Sequence, residues 1–528
     1  MSTTRTPRVR DEAGYAADSH KWWVLGVIVV GTFMSILDST VVNIALPKFM
    51  SVFSADVHQV QWVLTGYLLA LAIVIPLTGY VDDTFGGKRV YIVTVALFTI
   101  ASALCGFSWS LSVLIFFRVL QGLGGGLIQP LGMSLLLREF RPEERGTALG
   151  FFGIPIMLAP AIGPILGGYL VEYVDWRFIF YINVPIGIFA VIAASRILHD
   201  APLHLGQKLD TWGLGLVSVG SAALLLGVDN GPTDGWGSTG VLTELIIGVV
   251  CLVAFVVVEL RSEQPLLELR LFQRLNFSTA VFVTLIIQIG LFGGMFLVPV
   301  LVENLQGLGA MQTGLLWLPQ SLAVAMIMPL SGRIFDRFGP VVVLVPGLSI
   351  LVVAMYLLSF LAISTSQMQI VGMLLLRGVG MGFAMMPATT AAMNATPREL
   401  IPRASALTSA LQRIAGSFGA AIMATMLTTR ENFHLNSLSQ SVTSLNPGVR
   451  MAMAQAEAIV RQHDLTAAAA QQLTTLLLYQ KVVLAATVRG FDDTFYFGAL
   501  LCIPAVFVAL LVRNTRSEGG RGPMPGVE

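Results

Sequence analysis

Long apolar runs, separated by short polar connections rich in glycine and proline, fill most of the chain. About 20 apolar residues suffice to cross a bilayer. By that measure spans are predicted over 22–46, 60–82, 89–108, 111–138, 146–171 and 177–198, then 211–229 and 240–260, then 276–302, 311–333, 340–362, 366–393, 402–428 and 494–513. In lipid only helices or closed barrels satisfy every backbone polar group, and runs of this length are helical. The expectation is an all-α polytopic membrane protein of about fourteen transmembrane helices with both tails on one side. One connection breaks the pattern: residues 429–493 are polar and Ala/Gln-rich. Their stretch MAMAQAEAIVRQHDLTAAAAQQLTTLLLYQ holds strong helix formers and neither Gly nor Pro, which predicts helix, either as a solvated cap or as a docking surface for a partner.

Loop charge orients these spans. Lys88, Arg89, Arg138, Arg141, Arg145, Arg196, Lys208, Arg261, Arg270, Arg274, Arg333, Arg337, Arg398 and Arg403 fall on the side of the tails, whereas the opposite short loops offer little beyond Lys48 and Arg177. The positive-inside rule then makes the tails cytoplasmic. Composition agrees with a chain that lives in lipid: 12% of the 528 residues are charged, against about 25% in soluble domains, and mean hydropathy is +0.79. The net charge of +1, without a basic block, gives no sign of nucleic acid. Cys105, Cys251 and Cys502 sit in apolar runs and support neither a disulfide framework nor a metal site. Arg5, Arg8, Arg10 and Lys21 precede a first run without a small-residue cleavage site, the pattern of an uncleaved first span.

The chain also repeats itself. GYVDDTFGGKR at 79–89 returns as GRIFDRFGP at 332–340, about 253 positions later, and the same shift carries the first five spans onto spans nine to thirteen. RVLQGLG (118–124) has a weaker echo in RGVGMG (377–382). The predicted organisation is a tail (1–21), a six-helix half (22–200), a linker with two inserted helices (201–275), a second six-helix half (276–513) carrying the outer loop 429–493, and a tail (514–528). Secondary transporters are commonly built from repeated helical halves with substrate bound between them near the midplane.

Ionisable residues stand inside apolar spans of both halves. Asp38, in LDSTVVNIALP, lies about 24 Å into the first span, and Arg118 lies about 10 Å from the other end of the fourth, so their depths coincide within a turn. Each alone would cost a few kcal/mol or more in hydrocarbon, about what a mutual ion pair would offset. Burial raises a carboxylate's pKa and a guanidinium lowers it, so a change in either influence would bind or release a proton. The pair reads either as a proton-coupling site or as a permanent structural bridge. Arg377 has no acidic mate at the matching depth, and Arg413 either lines an aqueous cavity or bonds to backbone carbonyls.

LAPAIGPILGGYL combines Pro160 and Pro164 with Gly163, Gly167 and Gly168. Prolines bend a helix and glycines admit a close neighbour. In the repeated loop, glycines such as Gly79 and Gly86 permit a tight turn; Asp83 and Asp336 are placed to cap a helix N-terminus or to pair with a base. LQGLGGG (120–126) is no dinucleotide fingerprint, because it lies within a membrane helix and Leu127 takes the last glycine's place; no phosphate-binding P-loop, HExxH or CxxC occurs. The sequence therefore predicts neither an enzyme nor a cofactor; any energy must come from an ion gradient.

These motifs resemble the major facilitator superfamily, specifically its fourteen-span drug:proton antiporters of the EmrB/QacA type, over roughly 22–513. The resemblance implies the major facilitator fold in the cytoplasmic membrane of a bacterium, with proton coupling at Asp38 and Arg118. It assigns the antiport motif to Pro160, Gly163, Pro164, Gly167 and Gly168, and gating loops to Gly79, Asp83, Gly86, Lys88, Asp336 and Arg337. Thr84 and Gly87 stand where the family usually has arginine. The implied activity is export of amphipathic, often cationic or weakly acidic drugs in exchange for protons, with a periplasmic adaptor and an outer-membrane channel as candidate partners. Export of a single endogenous metabolite, or a non-transporting receptor or scaffold, are the alternatives. Candidate cavity residues are Gln61, Trp62, Tyr67, Gln121, Gln288, Phe292, Trp317, Gln320 and Arg413. An acid at the midplane of the second half would have argued for cationic substrates; its absence leaves the substrate open.

Overall fold

The computed structural model describes residues 18–199, 209–307, 310–362, 365–441, 451, 454 and 467–513. Among the described residues, fourteen helices are long and apolar enough to span a membrane. The N-terminal half comprises α1 (Asp18–Phe53), α2 (Val57–Phe85), α3 (Gly87–Gly106), α4 (Leu111–Glu139), α5 (Arg145–Tyr169) and α6 (Phe178–Ile197). The inserted pair is α7 (Thr211–Asp234) and α8 (Thr239–Arg261). The C-terminal half comprises α9 (Leu275–Gln306), α10 (Ala310–Phe338), α11 (Val341–Leu358), α12 (Gln367–Asn394), α13 (Ile401–Ser441) and α14 (Ala467–Ala509). The spans alternate, so the described ends share one face, called here the terminal face.

Local chemistry sets the boundaries. Asp56 with Gln59, and Ser366 with Gln369, form capping boxes that start α2 and α12; Ser110, Asp210 and Ser238 cap α4, α7 and α8. Such side chains satisfy N–H groups that lipid cannot. The internal repeat is a backbone fact: Gly86 at φ 86° and Gly339 at φ 89° turn the chain at equivalent places, a left-handed conformation that glycine adopts without steric cost.

Two boundaries depart furthest from the sequence expectation. The last two helices do not stop at their apolar runs: α13 continues to Ser441 and α14 begins at Ala467 rather than near 494. At 1.5 Å per residue, helices of 41 and 43 residues run about 60 Å, twice the ~30 Å hydrocarbon core. Alanine, glutamine and leucine, unbroken by Gly or Pro, propagate helix beyond the lipid. Most of the predicted helical stretch before Ala467 lies outside the described residues.

The halves meet along α5 and α10. A Cβ on Gly332 would run into the Gly146 carbonyl oxygen, and one on Gly150 would meet the Met328 carbonyl at 2.5 Å. Lipid gives no hydrophobic drive for helix pairing, so this backbone-to-backbone approach supplies the dispersion contacts. The inserted α7 packs on both α2 and α13, and Trp236, in the turn after it, donates to Thr425 Oγ1 of α13 at 2.9 Å.

A buried carboxylate and its guanidinium as the candidate functional site

Asp38 on α1 is 1% exposed and Arg118 on α4 is fully buried. Arg118 Nη1 donates to Asp38 Oδ2 at 2.6 Å. The other carboxylate oxygen accepts from Gln121 Nε2 at 2.9 Å and Asn183 Nδ2 at 2.8 Å. Arg118 is anchored besides by the Val63 carbonyl (3.2 Å) and Gln121 Oε1 (2.8 Å), and its guanidinium lies 4.1 Å from the centre of the Tyr67 ring. Four helices thus converge on one charge pair. Charge-assisted bonds of this length are about twice as strong as neutral ones, which is what tolerates two charges in the interior of a bundle. Arg118 Nη2 is left without a partner, so the guanidinium holds a donor in reserve if the carboxylate becomes neutral.

Sequence reasoning missed Asn183, which links Asp38 to Ser102 Oγ at 3.1 Å. Its signal was an amide in the otherwise apolar FYINVPIG of α6. Gln121, expected in a substrate cavity, belongs instead to the first set of bonds around Asp38.

The second half holds the same guanidinium without the acid. At the repeat shift Leu291 corresponds to Asp38 and Gln320 to Tyr67. Arg377 Nη2 donates to the backbone carbonyls of Gly290 (2.9 Å) and Leu291 (3.2 Å), and Nη1 to Gln320 Oε1 at 3.3 Å. The guanidinium occupies the space that a side chain at Gly294 would fill, and it sits 5.7 Å from the Trp317 ring. Gln288 Oε1 and Trp317 Nε1 are buried without hydrogen-bond partners. Phe292 packs on Gly416, a turn from Arg413 on α13. Arg413 itself is half-buried. Gln61 and Trp62 are exposed near the start of α2, two turns before the buried Tyr67.

The residues of the antiport motif carry α5 against the helix that bears Asp38. Gly163 admits Thr40, and a Cβ on Gly167 would lie 3.1 Å from Val41; Gly168 meets nothing. Pro160 and Pro164 stand inside the helix, and Pro164 faces Gly314 of α10 at 3.3 Å from its would-be Cβ. Helix α5 therefore lies between Asp38's helix and the opposite half.

At the terminal face the repeated loops lock the halves together. Asp336 accepts from Gly146 N (2.8 Å), Thr147 N (2.7 Å) and Thr147 Oγ1 (2.6 Å), capping α5 from the other half. Asp83 takes the alternative role and pairs with Arg403 Nη2 of α13 at 3.5 Å, under which Gly79 leaves room. Ser405 Oγ donates to the Pro130 carbonyl at 2.8 Å, and Arg398 Nη2 to that of Arg138 at 3.1 Å. Asp82, not singled out from the sequence, is buried and pairs with Arg138 at 3.0 Å and Ser134 at 3.1 Å. Gly87, in place of the family's usual arginine, is what admits Asp82: a Cβ there would lie 2.5 Å from Asp82 Oδ1. Lys88 is half-buried at the start of α3, and Arg337 lies over the Phe338 ring. Bonds to a charged acceptor contribute about 1.5–3 kcal/mol each. Asp336→Ala is accordingly expected to lower the thermal midpoint of the purified protein and to speed thiol labelling at Thr147→Cys; an unchanged midpoint and labelling rate would remove Asp336 from the lock.

The family model for the Major Facilitator Superfamily matches residues 28–420. Among curated relatives, the MFS-type transporter YhcA of Bacillus subtilis is 35% identical over 94% of this chain and 93% of its own. The multidrug export protein EmrB of Escherichia coli is 32% identical over 93% and 95%, and a multidrug resistance protein B homolog of Mycobacterium tuberculosis is 36% identical over 77% and 76%. Among solved structures, the human organic anion transporter MFSD10 superposes with TM-score 0.59 at 14% identity, covering 93% of this chain and 99% of that one. The proton:xylose symporter XylE superposes with TM-score 0.58 at 12% identity over 94% and 97%. At such identities the structural likeness concerns the fold alone, and it is the sequence matches that assign descent. This multi-pass membrane protein belongs to the Major Facilitator Superfamily, in the fourteen-span branch of the multidrug export proteins.

Proposed function

We propose that the protein exports amphipathic small molecules across the cytoplasmic membrane by exchanging them for protons, with alternating access between its two halves. The observation that carries this reading is the Asp38–Arg118 pair: a carboxylate at mid-depth, held at 2.6 Å by a guanidinium with a donor in reserve. Intramembrane ionisable residues of this kind mark proton relays and substrate paths. The terminal face is cytoplasmic on loop charge, so the locked state described above is closed towards the cytoplasm. The α5–α10 seam is the surface on which the halves rock, and protonation of Asp38 biases which face is closed. No cofactor is invoked; the gradient supplies the energy.

Reconstitution in proteoliposomes tests this directly. An imposed pH gradient is expected to drive accumulation of a substrate dye, with substrate-dependent proton flux in the opposite direction, and a protonophore is expected to abolish both. Accumulation that persists after the gradient is collapsed would reject proton exchange. In a cell with two membranes, the outer loop 429–493 and the likeness to EmrB support assembly with a periplasmic adaptor and an outer-membrane channel. Co-purification with an adaptor is the expected result; a full efflux phenotype in adaptor-deleted cells would reject it.

A further inference from the structure

On the exchange reading above Asp38 takes up a proton, and the bonds around it decide where that proton sits. Oδ2 faces Arg118 Nη1 at 2.6 Å, and a guanidinium is a permanent donor. The proton therefore goes to Oδ1. There it meets two amide donors, Gln121 Nε2 at 2.9 Å and Asn183 Nδ2 at 2.8 Å. A carboxyl O–H that faces two N–H groups has no acceptor, so one of the amides must turn and offer its oxygen.

The two amides are not equally free. Gln121 Oε1 accepts from Arg118 Nη1 at 2.8 Å, which fixes that amide with its N–H groups towards Asp38. Asn183 is held by a hydroxyl instead. Ser102 Oγ of α3 donates to the Phe180 carbonyl at 2.9 Å. Having a single proton to give, it can only accept from Asn183 Nδ2 at 3.1 Å. Ser102 differs in this from Thr94 and Thr99 of the same helix, whose hydroxyls turn back onto carbonyls of α3 itself. Close contacts on either side keep the two residues together: Gly187 of α6 leaves room for Thr99, and Gly106 of α3 for Tyr181. A hydroxyl can swing to another acceptor and a guanidinium cannot become one, so Asn183 is the amide able to turn. Its Oδ1 is buried without a hydrogen-bond partner. An amide serving only to pack the helices would have that acceptor satisfied; one that alternates between two orientations leaves it bare in one of them.

We infer that Asn183 is a member of the proton site and Ser102 its positioning residue, the two forming a latch that favours ionised Asp38 and turns over when Asp38 takes up its proton. With Asp38 ionised, the Ser102 hydroxyl points to Phe180 and the Asn183 N–H groups point to Ser102 and Asp38. With Asp38 protonated on Oδ1, the Asn183 amide turns over and its Oδ1 accepts the carboxyl O–H. The Ser102 hydroxyl then swings from the Phe180 carbonyl to that same oxygen. Only the proton from the gradient is added. The inference rests on the exchange reading and deepens it by naming what sets the pH of exchange. The other ionisable groups around Asp38 are Arg118 on α4, Tyr67 on α2 with its ring 4.1 Å from that guanidinium, and Cys105 on α3, whose Sγ donates to Gln121 Oε1 at 3.5 Å. The packed stretches 146–168 of α5 and 182–195 of α6 hold no ionisable side chain. Variants at 102 and 183 therefore change the latch and leave the surrounding charges as they are.

Infrared difference spectra of the full-length protein in lipid nanodiscs, recorded across a pH series, read both members of the latch. Wild type is expected to show a carboxyl band from Asp38 and, with the same midpoint, a downward shift of an asparagine side-chain carbonyl band as Asn183 Oδ1 gains its donors. Asn183→Leu is expected to abolish the asparagine signal and to move the carboxyl midpoint to higher pH by about one unit, because the ionised form loses one charge-assisted bond. Ser102→Ala leaves every bond of Asp38 in place, so it keeps the test open if Asn183→Leu does not fold. It is expected to move the midpoint in the same direction, because the amide then turns without displacing a hydroxyl. Carboxyl midpoints unmoved in both variants, even with a lowered melting temperature, would reduce Asn183 to packing and overturn the inference; so would a midpoint moved in Asn183→Leu and unmoved in Ser102→Ala. The two readings fail separately. A carboxyl band that vanishes in Asp38→Asn yet ignores both latch variants counts against the latch alone, whereas a wild-type spectrum from which Asp38→Asn removes nothing counts against proton exchange and takes the latch with it.

Discussion

Asp38→Asn is expected to reduce gradient-driven export to the level of empty liposomes while the protein still folds. Asparagine is nearly isosteric and keeps an oxygen for Arg118, but it can neither bind nor release a proton in the accessible pH range. Removing one partner of a buried pair costs about 3–5 kcal/mol when the other is left bare. Here Arg118 retains the Val63 carbonyl and Gln121 Oε1, so the cost should fall at or below that lower bound. The check is a proteoliposome flux assay run beside a thermal melt and size-exclusion profile. Loss of flux with a monodisperse profile is the expected pairing. Undiminished proton-coupled flux would remove Asp38 from the mechanism, and the pair would then be read as a structural bridge.

The second large effect is expected at the seam between the halves. Gly332 of α10 lies against the Gly146 backbone of α5, without room for a Cβ. Gly332→Leu forces the terminal ends of these helices apart, and overpacking of this kind costs about 1–3 kcal/mol. The strain falls on the state closed at the terminal face and spares the state in which that face is open. A bias of about 3 kcal/mol moves a two-state equilibrium by more than 100-fold. Transport is expected to fall by at least about tenfold, and a cysteine at Thr147, next to the Asp336 lock, is expected to become permanently reactive to impermeant maleimide from the terminal face. Normal transport with a protected Thr147→Cys would show that the seam need not close so tightly.

How much of this was legible beforehand follows from what each feature depends on. The spans were, because lipid converts hydropathy into helix with little competition, and the Asp38–Arg118 pairing was, because two isolated charges at one depth have few alternatives. The glycines at 86 and 339 announced their turns through the repeat. The ends of α13 and α14 were not legible from hydropathy, since helix formers extend a helix into water as readily as lipid ends an apolar run. Asn183 and Asp82 were passed over because a single amide, or the first of two adjacent aspartates, carries no periodic signal; only the packing of α6 on α1 and of α4 on α2 gives them partners. Arg377's replacement of a carboxylate by backbone carbonyls was likewise invisible, because it depends on the absence of a side chain at Gly294. Arg413 has no carbonyl partner among the described residues, a fact of backbone placement that no residue pattern encodes.

Infrared difference spectroscopy of the purified protein between acid and alkaline pH reads the protonation of Asp38 itself. The expected result is a protonated-carboxyl stretch at acid pH that disappears on alkalinisation, is absent from Asp38→Asn, and survives in Asp83→Asn. A spectrum in which Asp38→Asn removes no carboxyl band would mean that this carboxylate never takes up a proton, and would contradict the account at its centre.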